Sequence, residues 1–272
     1  MKSTPADTAL PDVPSGDIDQ RWLEELCRRT DDVLWNSYRF ALEEADAPWP
    51  RVMPPLKGRE RRVGEQEARF AFVAALLADA GAEPWAFAVE APTRLSYRFA
   101  QRGGGAKAQR ALTDLALYRQ ACDGPVLAVQ FKSGGRSGKA EIDESIRKDV
   151  AAILAEQPHA LWFHVVRNAN GATLQGLLRT LDAAIARLSN PFKLRDYLAP
   201  GKTVEPRAKT IAFHVCILDP GMTASIHRVL EYVPGKPERD FFTIATAATS
   251  TTLEIADGQG WRVHRGSVAA AS

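Results

Sequence analysis

Cysteine is scarce in this chain of 272 residues: Cys27, Cys122 and Cys216 are odd in number and far apart. That leaves neither a disulfide framework nor a CxxC metal or redox motif, and a reducing, cytoplasmic setting is expected. Long apolar runs are missing as well, since no stretch approaches about 18 uninterrupted apolar residues. Residues 1–19 carry Pro5, Pro11, Pro14 and several Asp in place of the basic start and apolar run of a signal peptide, so neither membrane insertion nor secretion is expected. There is no GxSxG or HExxH, and no histidine is placed to pair with a Ser or Cys nucleophile, so hydrolases built on those parts lose support. The five histidines give no metal signature: His159 and His164 straddle the start of a strand, and His214, His227 and His264 stand alone. They are expected as satisfied core or surface residues. No internal repeat is visible.

An excess of one charge is also lacking, with a formal net charge of +2, so distribution has to decide whether a polyanion is a partner. Lys57, Arg59, Arg61, Arg62, Arg94, Arg98, Arg102, Lys107, Arg110, Arg136, Lys139, Arg147 and Lys148 crowd the middle of the chain. Several fall in stretches that read as loops, a pattern suited to phosphate contacts, although any one of them alone reads as a solvated surface charge.

Four segments follow from composition and periodicity. Residues 1–19 read as a flexible leader. Residues 20–62 read as a helical N-terminal extension and linker: a helix capped by Asp17 or Asp19, with Leu23, Leu26, Cys27, Val33, Leu34 and Tyr38 on its buried face, then the proline- and arginine-rich APWPRVMPPLKGRERR. Residues 63–190 read as the core and 191–272 as a C-terminal α/β extension whose strands join or flank the core sheet. Within the core, Gly64 to about Ala80 is a helix with Phe70, Val73, Ala74 and Leu77 at core spacing. WAFAVEAPTRLSYRF is strand bent at Pro92, QRGGGAKAQ a turn and RALTDLALYR a strand. CDGP turns the chain into the apolar strand VLAVQFK, of the kind found in a sheet covered on both faces. A glycine-rich loop, SGGRSG, leads to a helix over about 139–156, and ALWFHVVRN is strand. TLQGLLRTLDAAIARL is helix, KTIAFHVCIL strand, and LEIADGQGWRVHR a terminal hairpin. The fold class is therefore α/β, a central mixed sheet flanked by helices, with the order α-β-β-β-α-β from 64 to 168.

Asp114 lies among apolar neighbours in mid-strand, where a charge is costly unless it is paired or binds a cation. Gln130 and Lys132, two apart, share one face of the next strand. If the strands pair across CDGP, Asp114, Gln130 and Lys132 converge. Such a cluster suits phosphodiester hydrolysis, with oxygen ligands holding magnesium against the phosphate and a cation orienting water or offsetting developing charge. The Phe131 carbonyl adds an oxygen ligand, and Lys132 holds the nucleophile or stabilises the transition state. A second carboxylate is wanted. Glu67 sits toward the buried face of the preceding helix, with Glu65 on an adjacent face as the alternative. SGGRSGKA follows a strand as a Walker A loop would, but it starts on Ser133 and has Ala140 in the hydroxyl position. Its Arg136 and Lys139 are instead expected to touch a nucleic-acid backbone.

Asp114, then QFK at 130–132, within the α-β-β-β-α-β order, resembles the PD-(D/E)xK nuclease superfamily over roughly residues 64–168. The resemblance implies a restriction-endonuclease-like core and a site in which Asp114, Gln130, the Phe131 carbonyl and Glu67 hold magnesium, or manganese in its place, while Lys132 assists catalysis. It implies cleavage of nucleic acid, DNA more than RNA, in prokaryotic restriction, defence or repair, and it allows a homodimer. Two positions depart from the pattern: Thr113 stands where the superfamily has Pro, and Gln130 where it has an acid, although a Q-x-K version occurs in its Mrr-like restriction branch. Losing that acid also fits a rival, a catalytically silent nuclease-fold module that binds nucleic acid or a protein. A third reading is an unrelated α/β protein with a structural Asp114–Lys132 ion pair.

Overall fold

The computed structural model describes residues 18–78, 85–100, 106–119, 124–134, 149, 152–153, 159–168, 174, 176–181, 210–219, 222–231 and 262–265. For residues 94–100, 106–109, 222–223, 230–231 and 262–265 the backbone alone is described. Helix α1 spans Gln20–Ala41. Asp19 caps it, its carboxylate accepting from the Arg21 N–H at 2.8 Å. The expected stripe of Leu23, Leu26, Cys27, Val33, Leu34 and Tyr38 is buried throughout. Trp22 joins it and stacks on Trp85 with ring centroids 4.8 Å apart. After α1 the proline-rich stretch ends in two short paired strands, β1 (Leu56–Lys57) and β2 (Glu60–Arg61). Gly58 makes the turn between them at a φ of +70°, a conformation that disfavours any residue with a Cβ.

Helix α2 (Glu65–Leu77) buries a different face from the expected one. Phe70 and Leu77 are each 56% exposed, whereas Ala68, Ala71, Phe72, Ala75 and Leu76 are buried. The helix is apolar nearly all round, so periodicity offers two stripes of equal merit, and tertiary packing selects one. Phe72 selects it by meeting Phe131 and Phe163 edge-on, at centroid distances of 5.7 and 6.5 Å.

The main sheet has seven strands in sequential order, β3 (Trp85–Ala100), β4 (Ala106–Arg119), β5 (Pro125–Ser133), β6 (His159–Arg167), β7 (Thr210–Asp219), β8 (Met222–Glu231) and β9 (Arg262–Arg265). It is mixed: β5, β6 and β7 are parallel and every other pair is antiparallel. Residues 64–168 thus follow the expected order, with Asp149, Ala152 and Ile153 helical between β5 and β6. β3 is one long strand whose register shifts between Pro92 and Ser96. There the Thr93 hydroxyl donates to the Ala111 carbonyl and accepts from its N–H. Ala106–Gln109, expected in a turn, belong to β4. β8 was not anticipated at all; it pairs with β7 over its whole length and completes a hairpin.

Alternation along β5–β7 sorts the core into two faces. Leu127, Val129, Phe131, Leu161, Phe163, Val165, Ala212, Cys216 and Leu218 form one core cluster with α1 and α2. The residues between them, among them Ala128, Trp162, Phe213 and Val215, turn the other way and are equally buried. This is a sheet covered on both faces, as the apolar run of β5 predicts. Among the described residues, no helix is long and apolar enough to cross a membrane.

Candidate active site

The β4–β5 ladder runs through Leu117↔Leu127 and Ala116↔Ala128 and stops at Leu115↔Val129. One step further stand Asp114 and Gln130, opposite each other as expected from the CDGP turn. A side chain replaces the missing backbone pairing: Asp114 Oδ2 accepts from the Phe131 N–H at 2.7 Å and from Gln130 Nε2 at 2.7 Å. The β3–β4 ladder skips the same place, since Val89↔Leu115 and Ala91↔Thr113 are paired and Glu90 between them is not. Glu90 has a φ of +54°, an uncommon conformation for a residue with a long side chain. The sheet backbone is therefore interrupted on both sides of Asp114, and interruptions of this kind gather where a strand must aim a functional side chain.

Lys132, two residues beyond Gln130, projects from the same face and pairs with Asp149 at 3.0 Å. Asp149 lies in the helical segment after β5 and had not been singled out. The N-terminus of α2 reaches this cluster through Glu65, whose carboxyl feels Lys132, Asp114, Arg69 and Asp149. Glu65 precedes Arg69 and Phe72 by four and seven residues, so the stripe that buries Phe72 carries Glu65 and Arg69 with it. Glu67 is buried too, but its Oε2 accepts from the Gly64 N–H at 2.7 Å, the one bond of a capping box open to an N-cap glycine. The structure thus brings Glu65 to Asp114 and Lys132 and turns the Glu67 carboxylate to the start of its own helix. The Phe131 ring packs against Phe72 and Phe163 while its N–H holds Asp114. Arg136 and Lys139, expected at a nucleic-acid backbone, lie outside the described residues. Gly134, just after β5, adopts a φ of +109° that its missing Cβ permits.

Burial and neighbouring charge shift Asp114, Glu65 and Lys132 in this half-buried cluster. Burial raises the Asp114 carboxyl above its ordinary range, and the Phe131 N–H, Lys132 and Arg69 pull it down without cancelling that rise. Burial also raises Glu65, with Lys132 opposing and Asp114 adding to the rise. For Lys132, burial lowers the ammonium, but Asp149, Glu65 and Asp114 outweigh it, and the net shift is upward. Its neighbours therefore favour the charged form of Lys132. Arg69, almost wholly buried, lies 3.4 Å from Asp114 Oδ1 and 3.6 Å from Glu90. Lys132 thus pairs with Asp149, while the structural ion pair of Asp114 is with an arginine.

Of the remaining histidines, His159 is satisfied, as expected, and His164 only in part, its buried Nδ1 having no hydrogen-bond partner among the described residues. His159 donates from Nδ1 to the Thr210 hydroxyl at 2.8 Å and accepts from the Ile18 N–H at 3.3 Å. His164, across the parallel pairing from Lys132, donates from Nε2 to the Gly134 carbonyl at 2.7 Å. Burial first, with Lys132 adding to it, lowers His164 to about 4, so it is neutral near pH 7.

His214 and His227 do not stand alone. They face each other in the β7–β8 register with their Nδ1 atoms 3.1 Å apart, and His214 Nε2 lies 2.9 Å from Asp31 of α1. Cys27 completes a group whose ligand atoms all lie within 4.8 Å of one another. The missed signals were the H-x-C spacing of His214 and Cys216 on one strand face, and Cys27 on the predicted buried face of α1. Both needed β8 to be read as a strand.

No protein-family model matches the chain and no curated protein matches it. Its resemblance to a nuclease superfamily therefore rests on the residues and element order described above.

Proposed function

We propose that the chain is a metal-dependent nuclease with a restriction-endonuclease-like core, hydrolysing phosphodiester bonds of nucleic acid, DNA more than RNA. The carrying observation is that Asp114 on β4 meets Gln130 across a broken ladder, with Lys132 on the same face and Glu65 and Asp149 charge-coupled to it. The donor set suits magnesium, a hard cation that takes oxygen ligands and keeps several waters. Asp114 and Glu65 are the carboxylates that would hold it, with the Gln130 amide oxygen and the Phe131 carbonyl as neutral oxygens. The Gln130 amide has to turn over to present that oxygen, a change of side-chain orientation only. Both carboxyls are raised by burial, and a divalent cation beside them removes that cost. Bound there, magnesium supplies Lewis-acid stabilisation of charge on a phosphate oxygen. The protein's own part is Lys132, fixed as a cation by Asp149, which orients water or offsets negative charge as the phosphate is attacked. Asp149 restores a negative charge close to the place where Gln130 has none.

One observation favours the silent nuclease-fold module instead: Arg69 lies 3.4 Å from the free oxygen of Asp114 and supplies positive charge in place of a metal. Cleavage of labelled single- and double-stranded DNA and RNA with magnesium or manganese separates the two readings. Metal-dependent cutting that disappears in Asp114→Asn and Lys132→Ala supports the nuclease. No cutting, with nucleic-acid binding unchanged in both variants, assigns the silent module.

A further inference from the structure

The second polar cluster is fully enclosed in the core. Cys27, His214, His227 and Cys216 are each 0% exposed and Asp31 is 5% exposed. Three elements assemble it. Cys27 and Asp31, four apart, share the buried face of α1; His214 and Cys216, two apart, share a face of β7; and His227 is the β8 residue paired with His214. Polar groups are seldom collected in a core without a reason, because each must be satisfied there.

The hydrogen-bond pattern indicates what the cluster is built for. Asp31 is a carboxylate that accepts from His214 Nε2, which fixes the proton on that nitrogen and leaves Nδ1 with a lone pair. That lone pair points at His227 Nδ1, 3.1 Å away. Two imidazole nitrogens on one tetrahedral zinc stand roughly 3.3 Å apart, given bonds of 2.0–2.1 Å. The pair is therefore spaced either for one shared proton or for one shared ion. Cys27 decides between them: a soft sulfur within 4.8 Å of a nitrogen of each ring has no part in an N–H···N bond but is a preferred zinc ligand.

We propose that Cys27, His214 and His227 bind a single structural zinc ion that pins α1 to the β7–β8 hairpin. Asp31 acts behind the ligands, fixing the His214 ring as carboxylates do for histidines bound to zinc. Cys216, on the same strand face as His214 and equally buried, flanks the site. One Cys27 thiolate and the Asp31 carboxylate balance the charge of one divalent ion. The site is separate from that of Asp114: Phe131, Phe163 and His214 line one face of the sheet, and Gln130 and Lys132 point from the other.

The test is metal analysis of the full chain as purified, followed by chelator stripping and reconstitution with cobalt(II). The expected result is one zinc per chain and, with cobalt, a thiolate-to-metal charge-transfer band. Both should be lost in Cys27→Ala and kept in Asp114→Ala. Asp31→Asn should retain the site with zinc affinity weakened about 10- to 100-fold. If Cys27→Ala fails to fold, the wild-type metal content, the cobalt spectrum and Asp31→Asn decide. The proposal is overturned by a metal-free protein whose melting temperature zinc and chelator leave unchanged, by zinc that Cys27→Ala retains, or by copper as the ion found.

Discussion

The clusters at Asp114 and at His214 sit on one sheet, on opposite faces, and use opposite chemistry. At Asp114 the donors are carboxylate and amide oxygens, the sheet ladder is broken on both sides, and the Lys132 and Asp149 side chains are 25% and 16% exposed. At His214 the donors are nitrogen and sulfur, the β7–β8 ladder is unbroken, and every proposed ligand is fully buried. Oxygen donors with access to solvent suit a hard cation and an incoming phosphate; sulfur and imidazole in a dry core suit an ion that holds structure. One region gives up backbone regularity for reach, and the other uses regularity to fix three elements together.

The two regions are joined most closely at Phe163, which lies against Phe72 and Phe131 on one side and over His214 at a centroid distance of 4.9 Å on the other. Phe163→Ala should cost about 3–5 kcal/mol of stability, measured by denaturant unfolding. It should also weaken metal retention at His214. A loss below about 1 kcal/mol would mean that the two regions are not packed through this ring.

Lys132→Ala perturbs the Asp114 region alone. As a fixed cation beside developing charge, Lys132 is expected to contribute about 10²- to 10³-fold to the cleavage rate, with zinc content unchanged. Equal loss of zinc and of cleavage would show that the clusters are not independent. His164, on the Lys132 face, gives a comparable effect that depends on pH. Its folded value of about 4 lies below the ordinary 6.5, so the unfolded chain takes up the proton first as pH falls. The stability that His164 contributes is whole above pH 6.5 and is lost as pH falls from there towards 4, by about 3 kcal/mol. Unfolding midpoints across that window should fall less steeply in His164→Gln.

How much of this the sequence carries depends on how local the signal is. The Asp114–Gln130 convergence is legible because one short turn joins the two strands and a period of two sets which residues share a face. The buried face of α2 is not, because Phe70, Val73, Ala74 and Leu77 make as good a stripe as Ala68, Ala71, Phe72 and Leu76, and only Phe131 and Phe163, from distant strands, choose between them. The His214 cluster needs residues 27, 214 and 227 at once, and MTASIHRVLE, with small and polar residues among its apolar ones, does not announce a strand. Asp149 was missed for a different reason: its helix was expected, but a carboxylate on a helix face reads as surface until Lys132 is placed beside it.

The smallest expected effect bears on which acid of α2 belongs to the site. Glu67 accepts the Gly64 N–H, so Glu67→Ala should remove a helix cap and cost about 1 kcal/mol, with the cleavage rate per folded molecule unchanged. Glu65→Gln is the opposite case. Burial disfavours the charge of Glu65, so a neutral amide should leave stability unchanged or slightly raised. If Glu65 holds the metal, the same substitution should raise the magnesium concentration needed for half-maximal cleavage. Unfolding midpoints and magnesium titrations of the two variants form a two-by-two test. A stable Glu65→Gln with normal magnesium dependence, beside a Glu67→Ala that needs more metal, would move the ligand from Glu65 to Glu67. It would also mean that the cap at Gly64 opens when the ion binds.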